Sequence, residues 1–518
     1  MASLSSAEHA LLTALSELTY CNPFETTRID LERAVLGDEY TEEELGSWSR
    51  TEATDLGERP NVLKITERAG ELVERLRKRQ AEQGPLEPEA CLRYDDLVTY
   101  VLYYRHVSTL PRSALASARL GREGRRALAG AWRKFSAERE KMFAHVPGEL
   151  QAPMPMSEHL FACLHQVRRA FTNTFDCIIG ESAPAANLRA HVWQSIFTHD
   201  LRRYRRALYR GMSDLSTLIT GPSGAGKELV ARAIGLSQYR AFDPQTEDFV
   251  EDDGAKGDHG FVALNLSALS PTLIESELFG HRRGSFTGAT GDRAGWLEHC
   301  PPHGAVFLDE IGELDPLIQV KLLRVVQSRE YSRLGETELR RFEGKLIAAT
   351  NRDLAQEIER GAFREDLYYR LCSDRIRVPS LREHLDDRPQ ALEGLIRFLT
   401  RRALGAESDA EAERLAGEVE GWIAQRLPSD YLWPGNIREL EQCVRNVLVR
   451  REYHPAETQQ QGSNGWLEQA ERGELSADEL LNHYCRLMHK KEGGYEQAAR
   501  VLGLDRRTVK SRVMSAAE

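Results

Sequence analysis

The chain of 518 residues has no apolar run long enough to span a bilayer, and its first residues, Met-Ala-Ser-Leu-Ser-Ser-Ala-Glu-His, lack a basic region followed by an apolar one. No membrane partner is expected, and the expected location is the cytoplasm. Paired cysteines are also missing: Cys21, Cys91, Cys163, Cys177, Cys300, Cys372, Cys443 and Cys485 stand far apart, without the spacing of a zinc or redox site. They read as thiols in a reducing compartment. Nor is there an excess of positive charge, since 69 Lys and Arg face 80 Asp and Glu for a net charge of -11. A chain of this balance does not coat nucleic acid along its length, so any DNA contact must be local. Its length exceeds what one core can serve and suggests roughly three or four domains.

Up to residue 176 the pattern is mainly helical. Val62, Ile65, Ala69, Leu72, Val73 and Leu76 recur at three- and four-residue intervals within 61–83, and Gly84-Pro85 stops the run. Leu97, Val98, Val101, Leu102 and Tyr104 suggest a second helix, and residues 127–143 a third with a basic face. Buried strands ending in acids are missing, which argues against a phosphoacceptor receiver domain. A packing or oligomerisation module and a sensor both remain open readings, and nothing names a ligand.

From Cys177-Ile178-Ile179-Gly180 to about residue 450, short apolar strands alternate with amphipathic segments, the pattern of an α/β core with a parallel sheet. Gly221-Pro222-Ser223-Gly224-Ala225-Gly226-Lys227 follows the strand-like Leu218-Ile219-Thr220 and precedes a helix-like run. Its glycines let backbone N–H groups surround phosphate oxygens, and Lys227 reaches the outer phosphates. Glu228 stands where the usual pattern has a Ser or Thr for Mg²⁺. Downstream, Ala305-Val306-Phe307-Leu308 ends in Asp309, suited to Mg²⁺, and Glu310, suited to polarising the attacking water. The strand at 345–349 delivers Thr350-Asn351, placed to sense a γ-phosphate, while Arg364 and Arg370 are spaced to lie near one another on a helix. Arg438 opens a further helix after Trp433-Pro434-Gly435, where it can touch nucleotide from a lid. Residues 243–258 are rich in acids and read as a solvated insertion.

Between these segments lies Gly284-Ser285-Phe286-Thr287-Gly288-Ala289, a run that no nucleotide site needs. Glycines flanking a Phe-Thr pair describe a flexible loop that presents one ring and one hydroxyl to a partner, unless the ring folds back into the core. Together with Glu275-Ser276-Glu277-Leu278-Phe279-Gly280-His281, these motifs closely resemble the AAA+ domain of sigma-54-dependent transcriptional activators over about residues 177–450. The family's loop normally reads Gly-Ala-Phe-Thr-Gly-Ala, so Ser285 is a departure, whereas Glu after the loop Lys is typical. The resemblance implies that Phe286 and Thr287 contact the sigma factor. It also implies that Asn265 restrains Glu310 and relays nucleotide state, that Arg364 and Arg370 act in trans, and that Asn351 and Arg438 are sensors. A ring, typically a hexamer, and sigma-54 RNA polymerase holoenzyme as partner are further implications. The stretch 189–215 looks extended relative to related chains.

Past residue 451 the chain turns polar. Ser476-Ala477-Asp478-Glu479 has capping-box spacing, and Ala498, Ala499 and Gly503 precede a basic segment with Arg506, Arg507, Thr508, Lys510 and Arg512. This is helix-turn-helix logic, and eight Lys and Arg against three Asp and Glu over 486–513 supply local charge for phosphate. The segment resembles the Fis-type DNA-binding domain that closes many of these activators. The expected fold is α/β: an AAA+ P-loop ATPase core with helical lid, preceded by a mainly helical domain and followed by a helix-turn-helix. The expected divisions are 1–176, 177–380, 381–450 (lid), 451–475 (linker) and 476–518. The expected function is an ATPase using ATP and Mg²⁺ that binds upstream double-stranded DNA and remodels the polymerase. The intact carboxylates and loop argue against a regulator that only oligomerises, and the helix-turn-helix argues against an unfoldase.

Overall fold

The computed structural model describes residues 2–42, 59–110, 122–250, 260–404, 409–428, 430–455, 470, 473, 475–492 and 494–514. They form two compact units, Met1–Arg451 and Glu452–Glu518.

The first unit begins with the helices Ser6–Tyr20, Thr27–Leu36, Pro60–Gln83, Pro88–His106, Arg122–Phe143 and Ser157–Cys177. Ser5 and Glu8 close the first with a capping box, and Pro60 occupies the first turn of the third, where its missing N–H costs nothing. The stripe from Val62 to Leu76 is fully buried, as its periodicity predicts, and Gly84 ends that helix. Pro88–His106 is buried on almost every side, including Asp95 and Asp96.

The central sheet is parallel, with strand order Asp374–Arg377, Thr217–Thr220, Lys345–Thr350, Ala305–Asp309, Phe261–Asn265. Its inner strands are apolar on both faces because helices cover both. One face packs on Lys227–Gly235, which in turn packs on Ser157–Cys177. Gln166 Nε2 donates to the Ser237 carbonyl at 2.9 Å, and Arg169 to the Gln238 carbonyl. The helix Ser157–Cys177 thus contributes both to the core of the N-terminal helices and to that of the sheet. The described residues of 381–450 include the helices Leu381–Asp387, Ala391–Leu404, Asp409–Arg426 and Asn436–Arg450.

One sequence expectation is corrected here. The acidic segment from residue 243 is not a solvated loop over its described part: Phe242–Asp243 pairs antiparallel with Asp248–Phe249, and both rings are buried. Phe242 lies 5.0 Å from Trp132 and 4.9 Å from Phe161, while Phe249 stacks on His165 at 4.1 Å. The acids sit at the turn and the rings below it, with Glu247 paired to Arg133 at 2.5 Å. A hairpin of the nucleotide-type core thus grips the N-terminal helices; residues 251–258 lie outside the described residues. The segment Leu201–Arg206 is rich in arginine. Arg205 is buried against Asp95 at 2.6 Å and Asp96 at 3.5 Å.

The second unit holds the helices Ala477–Glu492, Tyr495–Leu502 and Arg506–Met514 around Cys485, Met488, Ala498, Ala499 and Val509. Small Ala498 and Ala499 permit the close crossing, and Gly503 takes the left-handed turn (φ 65°) between the last two helices. Of the linker, 456–469 lies outside the described residues.

Candidate functional site

The strand Thr217–Thr220 delivers Gly221 at its carboxyl end, and the loop to Gly226 turns into the helix that starts at Lys227. Gly224 has φ 75°, and a Cβ there would run into the Gly435 carbonyl oxygen. Glycine at this position lets the segment after Trp433 lie directly on the loop. Pro222, Ser223 and Ala225 complete a concave run leading into a helix N-terminus, the geometry that accepts an anion. Lys227 is buried, its Nζ donates to the carbonyls of Gly221 (3.2 Å) and Pro222 (3.3 Å), and it stands 4.0 Å from Glu310 Oε1.

Asp309 and Glu310 end the strand Ala305–Asp309, separated from the loop strand by Lys345–Thr350. That intervening strand carries Asn351 to the same edge, where its N–H donates to Glu310 Oε2 at 3.3 Å. Glu310 sits in the left-handed region (φ 56°), which turns its carboxylate back across the strand ends. Burial raises the Asp309 carboxyl above its usual range, opposed by the Lys227 charge and by the Glu310 N–H on Oδ1. A divalent cation would reverse that shift. Asp309 and, in the first helical turn, exposed Glu228 offer the hard oxygen atoms that Mg²⁺ prefers. The residues fit such an ion.

Arg438 meets the loop: its N–H donates to the Gly224 carbonyl at 3.2 Å and its guanidinium to Ser223 Oγ at 3.3 Å. The sequence reading missed Asn436. Its Nδ2 donates to the Ser223 carbonyl at 3.0 Å while its Oδ1 accepts the Leu381 N–H at 2.9 Å, clasping the loop to the first helix after residue 380. It holds φ 55°. Asn after Pro-Gly is among the few residues that tolerate this backbone, which was the available signal.

Other predicted residues are not brought to this cluster. Asn265 lies beside Asp309 in register, yet its Oδ1 accepts from Ser267 N (3.0 Å) and Oγ (2.7 Å), and no hydrogen bond joins it to Glu310 among the described residues. Arg364 and Arg370 are exposed on Glu365–Leu371 and its N-cap, and Arg364 pairs with Asp366 at 2.7 Å.

The loop Gly284–Ala289 closes through Gly284 N to Ala289 O (2.9 Å) and Ala289 N to Phe286 O (3.0 Å). Phe286 is half-buried edge-on against His281 at 5.0 Å, while Thr287 and Gly288 are exposed. Arg282 staples the loop base to Asp292 and Glu336, each at 2.6 Å. Ser285 Oγ is buried and finds no hydrogen-bond partner among the described residues. In the second unit, Arg506, Arg507, Thr508 and Lys510 are exposed on the last helix. Arg512 differs, since it pairs with Asp478 at 2.7 Å and Asn482 at 3.3 Å and so braces the helices.

Residues 197–377 match the family model described as the Sigma-54 interaction domain. The Nif-specific regulatory protein of Azotobacter vinelandii is 42% identical over 237 residues, covering 46% of this chain and 40% of that protein. The transcriptional regulatory protein ZraR of Salmonella typhimurium is 38% identical over 313 residues, covering 57% and 62%. The chain thus spans 40% to 62% of the length of these relatives. A structure of NtrX from Brucella abortus in complex with ATP is similar at 22% identity and a TM-score of 0.37, over 70% of this chain and 77% of that one. Among the described residues no helix is long and apolar enough to cross a membrane. The matched domain contains the phosphate-type loop, the paired carboxylates and the Phe286-Thr287 loop, and over these residues the chain is similar to the sigma-54-dependent activators.

Proposed function

We propose that this chain hydrolyses ATP and uses the energy to remodel sigma-54 RNA polymerase holoenzyme, while its second unit holds it on upstream DNA. The observation that carries the reading is the convergence of Lys227, Asp309, Glu310 and Asn351 on the carboxyl edge of adjacent strands, in one domain with the stapled Phe286-Thr287 loop. The glycine-rich run cradles the phosphates, Lys227 neutralises the outer ones, and Glu310 takes the proton of the attacking water. Asp309 would hold Mg²⁺, which when bound offsets charge on the phosphate oxygens. Asn351 and Arg438 report occupancy, the first through Glu310 and the second through Ser223.

Exposed Arg364 and Arg370 support a ring, typically hexameric, in which each subunit completes its neighbour's site. Asn265, one strand position from Glu310, relays nucleotide state toward the Phe286-Thr287 loop. Arg506, Arg507, Thr508 and Lys510 face DNA phosphates and bases, with Arg512 behind them as a brace. In this reading residues 1–176 regulate the core, 177–380 and 381–450 make the ATPase and its lid, and 451–475 link it to the DNA reader at 476–518. The test is Glu310→Gln in the full chain. Nucleotide binding should persist while steady-state hydrolysis falls by about 100-fold or more; undiminished hydrolysis would remove Glu310 from the mechanism.

A further inference from the structure

A cavity of about 90 Å³ lies between the N-terminal helices and the segment that leads into the sheet. One wall is Tyr20, Arg28 and Tyr100; the other is Trp193, Phe197 and Arg205. Arg28 and Arg205 line this space, and no Asp or Glu does among the described residues. The acids that balance them lie behind: Glu32 is 2.8 Å from Arg28, and Asp95 is 2.6 Å from Arg205. Glu32 also has Arg59 at 3.7 Å, and Asp96 has Arg202 at 3.2 Å. Arg205 is 2% exposed, and its Nε is buried with no hydrogen-bond partner among the described residues. A buried donor without an acceptor is costly and is commonly the mark of a missing partner.

We propose that this cavity is a binding site for a small monocarboxylate with a short apolar chain. Its carboxylate accepts from Arg28 and Arg205, and its chain lies on Trp193 and Phe197. A single anionic acceptor answers both the unpaired donor and the absence of acids from the lining. Size limits the rest: about 90 Å³ is well below the ~150 Å³ that takes up benzene, so a chain of a few carbons fits better than a ring. The bound molecule bridges the helices before residue 177 and Ala183–Phe197, which packs against the helix after the phosphate-type loop. That gives residues 1–176 a chemical input and a route from it to the core.

Cys21 provides the test, because it lines both this cavity and a neighbouring surface cleft of about 470 Å³. Its thiol is pushed up to about 11 by burial, so alkylation is slow enough to time. The full chain is labelled with N-ethylmaleimide alone and with butyrate, butyramide or inorganic phosphate, and Cys21 is quantified by peptide mass spectrometry with Cys372 as internal control. Butyrate is expected to slow Cys21 labelling at least fivefold, saturably, and to leave Cys372 unchanged, whereas butyramide and phosphate have no effect. Arg28→Met, which leaves Glu32 paired with Arg59, should abolish the protection. Labelling indifferent to butyrate, equal protection by butyramide or phosphate, or protection that survives Arg28→Met would overturn the proposal. Binding is read without ATP turnover, so its failure would leave the proposed hydrolysis untouched.

Discussion

Ser285, the residue that departs from the usual loop sequence, carries a calculable consequence. Its Oγ is buried without a hydrogen-bond partner among the described residues, and its Cβ faces Gly335 across the stapled loop base. An unpaired buried hydroxyl costs ~1–3 kcal/mol. Because Ser285 keeps partial exposure, the lower end applies, about 1 kcal/mol, or about fivefold in the docking equilibrium of the loop. The hydroxyl therefore works against the docked state and eases release of Phe286 from His281. Ser285→Ala should slow native-state hydrogen exchange of the Gly284 and Ala289 amides, which close the loop, by about fivefold. Gly335→Ala should do the reverse, since its Cβ would sit 2.9 Å from Ser285 Cβ and its φ of 75° disfavours a side chain. Faster exchange in Ser285→Ala would mean that the hydroxyl bonds within the loop, and the reasoning would fail.

Two further outcomes are open to direct measurement. Burial holds His303 down to about 3 and His384 to about 4, against an ordinary 6.5. Below pH 6.5 the unfolded chain takes up these protons and the folded chain does not, so stability falls with pH, by up to about 1.4 kcal/mol per pH unit for each group. Glu8 and Glu383, held near 2 by Arg79 and Arg377, lose their contribution only below 4.5. The urea midpoint should thus already drop between pH 6.5 and 5, and a flat profile there would contradict the buried-histidine account. For the second unit, Arg507→Ala should weaken binding to double-stranded DNA and lower the slope of log affinity against log salt by about 0.9. Fluorescence anisotropy over a salt series reads this, and an unchanged slope would place Arg507 off the phosphates.

The nucleotide-type cluster was legible in the sequence because its parts are local. Gly221 to Lys227 needs only a strand before and a helix after, and Asp309-Glu310 needs only the end of an apolar strand. The parallel sheet followed from the same alternation. Asn436 was not legible, because its two partners, Ser223 and Leu381, are distant in sequence and only the folded lid brings them together. The hairpin failed for a related reason: acids dominate its composition, whereas its position is set by Phe242 and Phe249, two rings that flank the charged turn. The pairing of Arg205 with Asp95 and Asp96 was not legible either, because those acids lie on a helix far earlier in the chain. Three of the N-terminal helices could be read from their periodicity, whereas Ser6–Tyr20, Thr27–Leu36 and Ser157–Cys177 were not, and a cavity between elements leaves no pattern in either one.

The central claim is that hydrolysis at Lys227, Asp309 and Glu310 is coupled to the polymerase through the Phe286-Thr287 loop. Thr287→Ala tests it most directly, because Thr287 is exposed at the loop tip and takes part in neither the loop-closing backbone bonds nor the Arg282 staple. In a purified transcription system with sigma-54 RNA polymerase, the variant is expected to hydrolyse ATP at the unaltered rate and to lose open-complex formation. Open complexes at the unaltered level would contradict the account.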